Sequence, residues 1–371
     1  MKNIATSLIR TFGLAALLAA LILSPGKKSY GQLGDLGDLL EGGKDDAELL
    51  FKDYLKPFAN GFGAGVNTGW VDRARTHGLL GFHVKVNFSA AMVPTADQSF
   101  NIDDLGLSTL TLSDNSPSVT PTFAGSSSGA ARLGYTQDGL ELANFDMPPG
   151  TGFSYIMTPM IQAGVGLPRN TDIMVRFIPP FKFLDYGEIY LYGFGLKHEL
   201  NQWLPGGALM PVTFSVMGGY TAFGTSAGLN ARPVDFNPEN DRDPEGLGGA
   251  ASATWDDQEI VFSTNAYTVN LIVGKSLPII SAYGGVGFEG ATTNVRVDGN
   301  FPYYTPRIME DGTPKRELTA LSDPIDISLA GTNRLRALAG LRISLPLITF
   351  NVDYTLANYS MISVGLGISL R

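Results

Sequence analysis

LLGFHVKVNFSAA, residues 79–91, alternates without a break. Leu80, Phe82, Val84, Val86, Phe88 and Ala90 occupy one parity, and Gly81, His83, Lys85, Asn87 and Ser89 occupy the other. Successive side chains of a strand point to opposite faces, so this is a strand with one apolar face and one polar, partly charged face. The same reading ends the chain. Ile348, Phe350, Val352, Tyr354 and Leu356 alternate with Thr349, Asn351, Asp353 and Thr355, and Val364, Leu366, Ile368 and Leu370 alternate with Ser363, Gly365, Gly367 and Ser369.

Alternating segments of about ten residues separated by turn signals read as a transmembrane β-barrel, with lipid outside and a polar lumen inside. Reading outward from these strands predicts an all-β antiparallel barrel of about 12 strands (10–14) over residues 58–371. The strands are expected at 58–71, 78–92, 103–112, 152–165, 171–179, 186–199, 209–223, 258–274, 279–298, 333–345, 347–357 and 360–370. Residues 93–150 are hard to read and leave room for two further strands or a folded-in loop. Turns at 167–170, 202–209, 276–278 and Pro346 fall on one side, the periplasmic one. The long segments 224–257 and 299–332 fall on the other, the asymmetry expected of outer-membrane barrels.

Residues 1–31 read as an export signal. Lys2 and Arg10 form a basic leader, Phe12 to Leu23 is apolar, and small residues at Ser29 and Gly31 precede a cleavage point before Gln32. Its removal leaves 22 basic against 35 acidic groups, a net charge of −13, which disfavours nucleic acid as a partner. With no cysteine in the chain, disulfides, thiolate metal sites and thiol catalysis are excluded. The expected location is the outer membrane, where membrane lipid is the first partner and the C-terminal strand is the segment offered to the barrel-assembly machinery.

Residues 32–57 differ from the rest of the chain. Asp45 or Asp46 caps a short helix with Ala47, Leu50, Phe51, Tyr54 and Leu55 at helical spacing, and Pro57 is expected to stop it. A periplasmic tether is the favoured reading; a plug in the barrel mouth is the alternative.

Pairing Leu345 with Ile348 across Pro346-Leu347 matches the faces of the last hairpins. It sets Ile343 against Phe350, Leu341 against Val352 and Ala339 against Tyr354. On the other face Arg342 pairs with Asn351 and is diagonal to Asp353, which predicts an Arg342–Asp353 contact. Through a turn at 358–360, Asp353 is expected opposite Gly365 and Asn351 opposite Gly367. The lumen-facing polar set is Lys85, Arg176, Glu188, Arg334, Arg336, Arg342, Asn351 and Asp353. Tyr190, Tyr192, Phe194 and Leu196 form a lipid-facing row, with Trp203 in the interfacial belt at one rim and Trp70 and Trp255 at the other.

Little in the sequence points to catalysis: a barrel hydrolase would need a nucleophile, a histidine and a carboxylate converging at the outer rim, and His77 is its one plausible member. The strand assignments scatter His77, His83 and His198, and neither a nucleophile elbow nor a P-loop is found. Asp241 to Gly246 has oxygens at positions 1, 3 and 5 and glycine at 6 of a calcium loop, but Ser252 stands where the bidentate Glu belongs, so it reads as a solvated acidic loop. No cofactor or metal is expected.

DYLKPFANGFGAGVNTGW (53–70), HGLLGFHVKVNFSAAMVP (77–94), FNIDDLGL (100–107), GLPRNTDIMVRFIP (166–179) and GLKHELNQWLPG (195–206) together resemble an uncharacterised family of exported outer-membrane β-barrel proteins. That family is distantly similar in plan to the long-chain fatty-acid transporter superfamily. The family's segments carry no assigned chemistry; the reading of the whole chain is a non-enzymatic barrel passing or binding small molecules, hydrophobic ones among the candidates. The alternative is a structural or interaction barrel whose long acidic outer loops bind a partner.

Overall fold

The computed structural model describes residues 44–137, 140–182, 187–229, 258–308 and 314–370. Ten strands close into a ring: β1 Phe82–Met92, β2 Tyr155–Leu167, β3 Thr171–Lys182, β4 Gly187–Glu199, β5 Thr213–Gly228, β6 Glu259–Ser276, β7 Ile280–Asp298, β8 Leu335–Ser344, β9 Ile348–Leu356 and β10 Met361–Leu370. Each pairs antiparallel with its neighbour in sequence, and β1 closes onto β10 from Phe82↔Leu370 to Ala91↔Met361. Closure leaves no unpaired edge, which is the condition for a sheet to sit in lipid. The period-2 pattern explains the two faces. On β1 and β10, Phe82, Val84, Phe88, Ile362, Val364, Leu366 and Ile368 are exposed to the outside, while Lys85, Asn87, Ser89 and Ser363 are buried within.

Ten strands replace the expected twelve because two of the segments read as strands lie elsewhere. Residues 103–112 belong to the 93–154 connection, which folds into short strands (Ser99–Asn101 with Val119–Pro121; Leu110–Leu112, Arg132–Gln137 and Leu140–Asp146) outside the ring. Residues 58–67 are helical. Helix α1 runs Lys44–Asn67, straight through Pro57, where a stop was expected. An interior proline costs about 3 kcal/mol, and the burial of Pro57 and of nearly every residue from Ala59 to Asn67 offsets that cost. Its glycines face the wall: a Cβ on Gly61 would meet Ile156 at 2.6 Å, on Gly63 Ala291 at 2.6 Å, and on Gly65 Thr158 at 2.2 Å. The alternation of glycine with larger residues, read as strand pleating, is therefore the contact surface of a helix pressed against β2 and β7.

One end of the barrel carries the connections 168–170, 200–212, 277–279 and 345–347; at the other lie the strand ends Lys182, Gly187, Gly228 and Glu259, the described parts of 93–154 and 299–334, and the 357–360 turn. We call them the short-turn and long-loop ends. Over the long-loop end sits a cap formed by the 93–154 connection, the hairpin Asn300–Ile308/Pro314–Ser322, and Ile325–Ala330, which adds to β7 with Ile327 opposite Val295. Leu50 and Phe51 of α1 are buried against Ile102, Leu133, Phe145 and Phe301 of this cap and against Val297 near the end of β7.

The hairpin register at β8–β9 is Ala339↔Tyr354, Leu341↔Val352, Arg342↔Asn351 and Ile343↔Phe350, as the face matching requires. At β9–β10 it differs by two residues from expectation: Asn351 faces Gly365, and Asp353 faces Ser363. The reason is Tyr359. Its side chain is buried, with the hydroxyl donating to Asp97 Oδ2 at 2.7 Å, and the chain lengthens the turn to put it there.

Candidate functional site in the barrel lumen

Beyond Asn67 the chain leaves the helix and descends through the lumen to Gly81, and the inward side chains of the strands hold it at three levels. At the first, Arg176 of β3 donates from Nη1 to Val66 O (2.6 Å), from Nη2 to Thr68 O (2.7 Å) and from Nε to Gln162 Oε1 (3.1 Å). Arg336 of β8 donates to Asn67 O at 3.1 Å and is paired with Glu289 of β7 at 2.7 Å. These carbonyls are the unpaired acceptors at a helix C-terminus, where the macrodipole is negative and cations are favoured.

At the second level, Asp72 meets Arg342 of β8 at 3.0 Å and Lys85 of β1 at 3.9 Å, all three buried. At the third, Asp172 of β3 accepts from the His77 backbone N–H (2.9 Å), pairs with the His77 ring (3.1 Å) and with Lys197 of β4 (3.2 Å). Lys197 also donates to the carbonyls of Arg73 and Arg75. The wall thus supplies a polar partner at almost every residue from 66 to 77. Neutral donors fill the gaps: Asn87 to Gly69 O (2.9 Å), Gln162 to Trp70 O (3.1 Å) and Tyr283 to Val71 O (3.3 Å).

Trp70 has a socket of its own. A Cβ on Gly195 of β4 would stand 2.7 Å from its ring and one on Gly219 of β5 2.8 Å, so these two positions leave the wall open for the indole. Arg176 lies over the other face, 3.8 Å from the ring centroid, a cation–π contact made in the absence of bulk water. Around Trp70, Tyr283 and Asp353 the cavity that remains is about 10 Å³, the size of a single water. A recess of about 390 Å³ opens between α1 and the cap, lined by Asp53, Lys56, Asp97, Asn101 and Asp104, none of them among the residues of the three levels below.

Of the residues expected in the lumen, Lys85, Arg176, Arg336, Arg342, Asn351 and Asp353 are buried inside the barrel. Glu188 and Arg334 are exposed. Glu188 shares the parity of Tyr192, Phe194 and Leu196, which face outward, and Arg334 precedes β8 at the long-loop end. Arg342 does not pair with Asp353. Asp72 from the inserted segment takes its place, a partner that the pairing of wall strands alone has no way to supply. Trp70 is 2 % exposed and lies in the lumen, not at a rim, while Trp203 is 65 % exposed in the 200–212 connection at the short-turn end, its Nε1 donating to His198 Nε2 at 2.8 Å. Trp255 and the run Asp241 to Ser252 lie outside the described residues.

His77 and His83, expected apart, stack at 4.8 Å between ring centroids because the inserted segment brings residue 77 back beside β1. Their surroundings are a carboxylate, a lysine and an amide, with no nucleophile beside them in the described contacts. Among the described residues, no group of three or more His, Cys, Asp or Glu is placed to hold a metal. The arrangement neutralises and hydrogen-bonds a polypeptide segment that occupies the bore.

A family model covers residues 1–370, nearly the whole chain, inserted segment and wall strands alike. The chain belongs to the family of unknown function DUF6588. No curated protein matches it. Among solved structures, it is similar to the translocator domain of the autotransporter NalP from Neisseria meningitidis (10 % identity, 80 % of this chain and 90 % of that one, TM-score 0.29). It is also similar to the attachment invasion locus protein Ail of Yersinia pestis (9 %, 79 % and 99 %, 0.22) and to the toluene transporter TbuX of Ralstonia pickettii (8 %, 80 % and 90 %, 0.23).

The inward residues missed from sequence divide into two kinds. Asp172, Lys197 and Glu289 share strand parity with Arg176, Gly195 and Gly287, and extending the alternation by one or two positions finds them. Asp72 and His77 lie in an irregular segment that carries no periodic signal, and Trp70 ends the stretch 58–71 whose alternation reads as a strand.

Proposed function

We propose that this protein is an outer-membrane barrel, long-loop end outward, whose lumen is closed by its own N-terminal segment and which does not conduct in this state. The observation that carries the reading is the grip of Arg176, Arg336, Arg342, Lys85 and Lys197 on residues 66–77. Each of these cations is buried and bound to a carbonyl or carboxylate of the insert, or to a wall carboxylate that the insert shares. Opening a path would strip buried charges of their partners, a change that costs about 3–5 kcal/mol for a single pair. Five such cations oppose spontaneous gating. The working surface is then the cap, which meets the surroundings and offers a partner-binding face; no catalytic role is proposed.

Planar-bilayer recording of the refolded chain beside the double variant Arg176→Ser/Arg336→Ser tests this. Silence from the wild type and current steps from the variant are expected. Steady conductance from the wild type would overturn the closed lumen and leave the small-molecule channel as the better reading.

A further inference from the structure

The insert crosses the lumen once, and in one direction. Lys44 lies at the long-loop end, where its Nζ donates to Asp323 O at 3.3 Å; one turn on, Glu48 accepts from the Asp326 N–H at 3.2 Å. Asp46 accepts from the backbone N–H groups of Ser108, Thr109 and Leu110 in the cap, each at 2.8 or 2.9 Å. At the other end the Thr76 hydroxyl donates to Glu199 at 3.0 Å and the Leu80 N–H to Gly166 O at 2.9 Å, and β1 begins two residues later. The polypeptide therefore reaches its first strand by passing from the long-loop end to the short-turn end.

Electrostatics fix that direction. Asp45 and Asp46 occupy the first turn of α1, where the dipole is positive, and its C-terminal carbonyls meet Arg176 and Arg336. A helix inserted the other way would aim its N–H groups at two buried guanidinium groups and its carbonyl end into the cap.

We propose that the barrel carries its own N-terminal segment through the lumen and displays the start of α1, Lys44 and Asp45, on the outer face of the membrane. A plug entering from the short-turn side would hold those residues on the opposite face. The lumen then serves as a conduit for one polypeptide, its own, and the cap as the collar that fixes where it emerges. The proposal rests on the long-loop end facing outward.

The chain has no cysteine, so single-cysteine variants report topology without background. Lys44→Cys and Asp45→Cys, both exposed, probe the start of α1; Asp114→Cys marks the long-loop cap, and Leu209→Cys, 90 % exposed, marks the short-turn end. Each is treated on intact cells with a membrane-impermeant maleimide, and labelling is normalised to the same protein after denaturation. Heat-modifiable migration confirms that each variant is folded. The expected result is that Lys44→Cys and Asp45→Cys label on intact cells to the extent of Asp114→Cys, while Leu209→Cys labels only after the outer membrane is permeabilised. Labelling of Asp114→Cys but not of the two α1 variants would overturn the display of the N-terminal segment and leave the barrel orientation standing. Labelling of Leu209→Cys but not Asp114→Cys would overturn the orientation itself.

Discussion

The inserted segment is held by different physics at its two ends. At the cap, Leu50, Phe51 and Ala47 of α1 pack against Leu133, Phe145 and Phe301 and the β7 residue Val297, and the buried charge of Asp46 is satisfied by backbone N–H groups. In the bore, residues 66–77 are met by five cations and by two carboxylates, Asp172 and Glu199, from the wall strands. The cap buries a helix whose apolar face has loops to cover it. The bore must fill the polar face of a barrel whose other face is committed to lipid, and charge paired with charge or carbonyl is the way to make such a lumen compact. The comparison predicts that losses in the bore cost more than losses in the cap and act through unpaired charge, whereas those in the cap act through cavities.

The strongest test is Asp72→Ala. It leaves Arg342 and Lys85 buried without their shared carboxylate, and we expect a loss of about 3–5 kcal/mol, read as a large drop in the midpoint of heat-modifiable migration. Adding Arg342→Met should recover part of that loss, because the second change removes the orphaned charge. A single variant that melts with the wild type would show that water reaches this level and that the bore is not a sealed ion-pair network.

Leu50→Ala addresses the cap. Leu50 is fully buried among Leu133, Phe145 and Val297, so truncation should cost about 3 kcal/mol, with no change in salt dependence. Melting both variants across a range of salt concentrations sharpens the contrast. Equal costs that respond equally to salt would erase the distinction between the two ends.

Between these sites lies the close approach of α1 to β2. A side chain at Gly65 would overlap the Thr158 hydroxyl, and Gly65→Val should cost about 2 kcal/mol by overpacking. Combining it with Thr158→Ala or Thr158→Gly, which clears the wall, should restore most of the loss. Failure of that rescue would assign the cost to the helical backbone instead of to the helix–wall contact.

The legibility of the fold and site in the sequence divides along the same line. The wall was legible: alternation places Lys85, Arg176, Arg336, Arg342, Asn351 and Asp353, and the face-matching rule sets the β8–β9 register, because a one-residue slip would turn every lipid-facing side chain inward. The insert was not. Phe58 to Trp70 imitates a strand by alternating glycine with larger residues, while the partners of the lumen cations come from an irregular segment whose position depends on the closed barrel around it. Even the β9–β10 register turned on a tertiary contact, the burial of Tyr359 against Asp97. Expecting charge pairs within the wall, such as Arg342 with Asp353, omitted the third party that shares the lumen.

The smallest expected effect concerns pH at the cap. Burial pulls the Asp46 carboxyl toward a higher pKa, but hydrogen bonds from the Ser108, Thr109 and Leu110 N–H groups and the Thr109 hydroxyl outweigh it, and the net shift is downward. A carboxylate whose folded pKa lies below its unfolded value, about 3.9, contributes stability that is complete above that value and is lost as pH falls through the folded pKa. Asp46→Asn keeps the shape and an acceptor but removes the charge, so at pH 6 the variant should be less stable by about 1.5 kcal/mol, the low end of the range for hydrogen bonds to charged groups. The gap between the two melting curves should narrow only as pH drops below about 4, where protonated Asp46 becomes the equivalent of the amide. A gap that stays constant down to pH 2.5 would mean that the cap uses Asp46 for its shape, and that charge matters to this insert only in the bore.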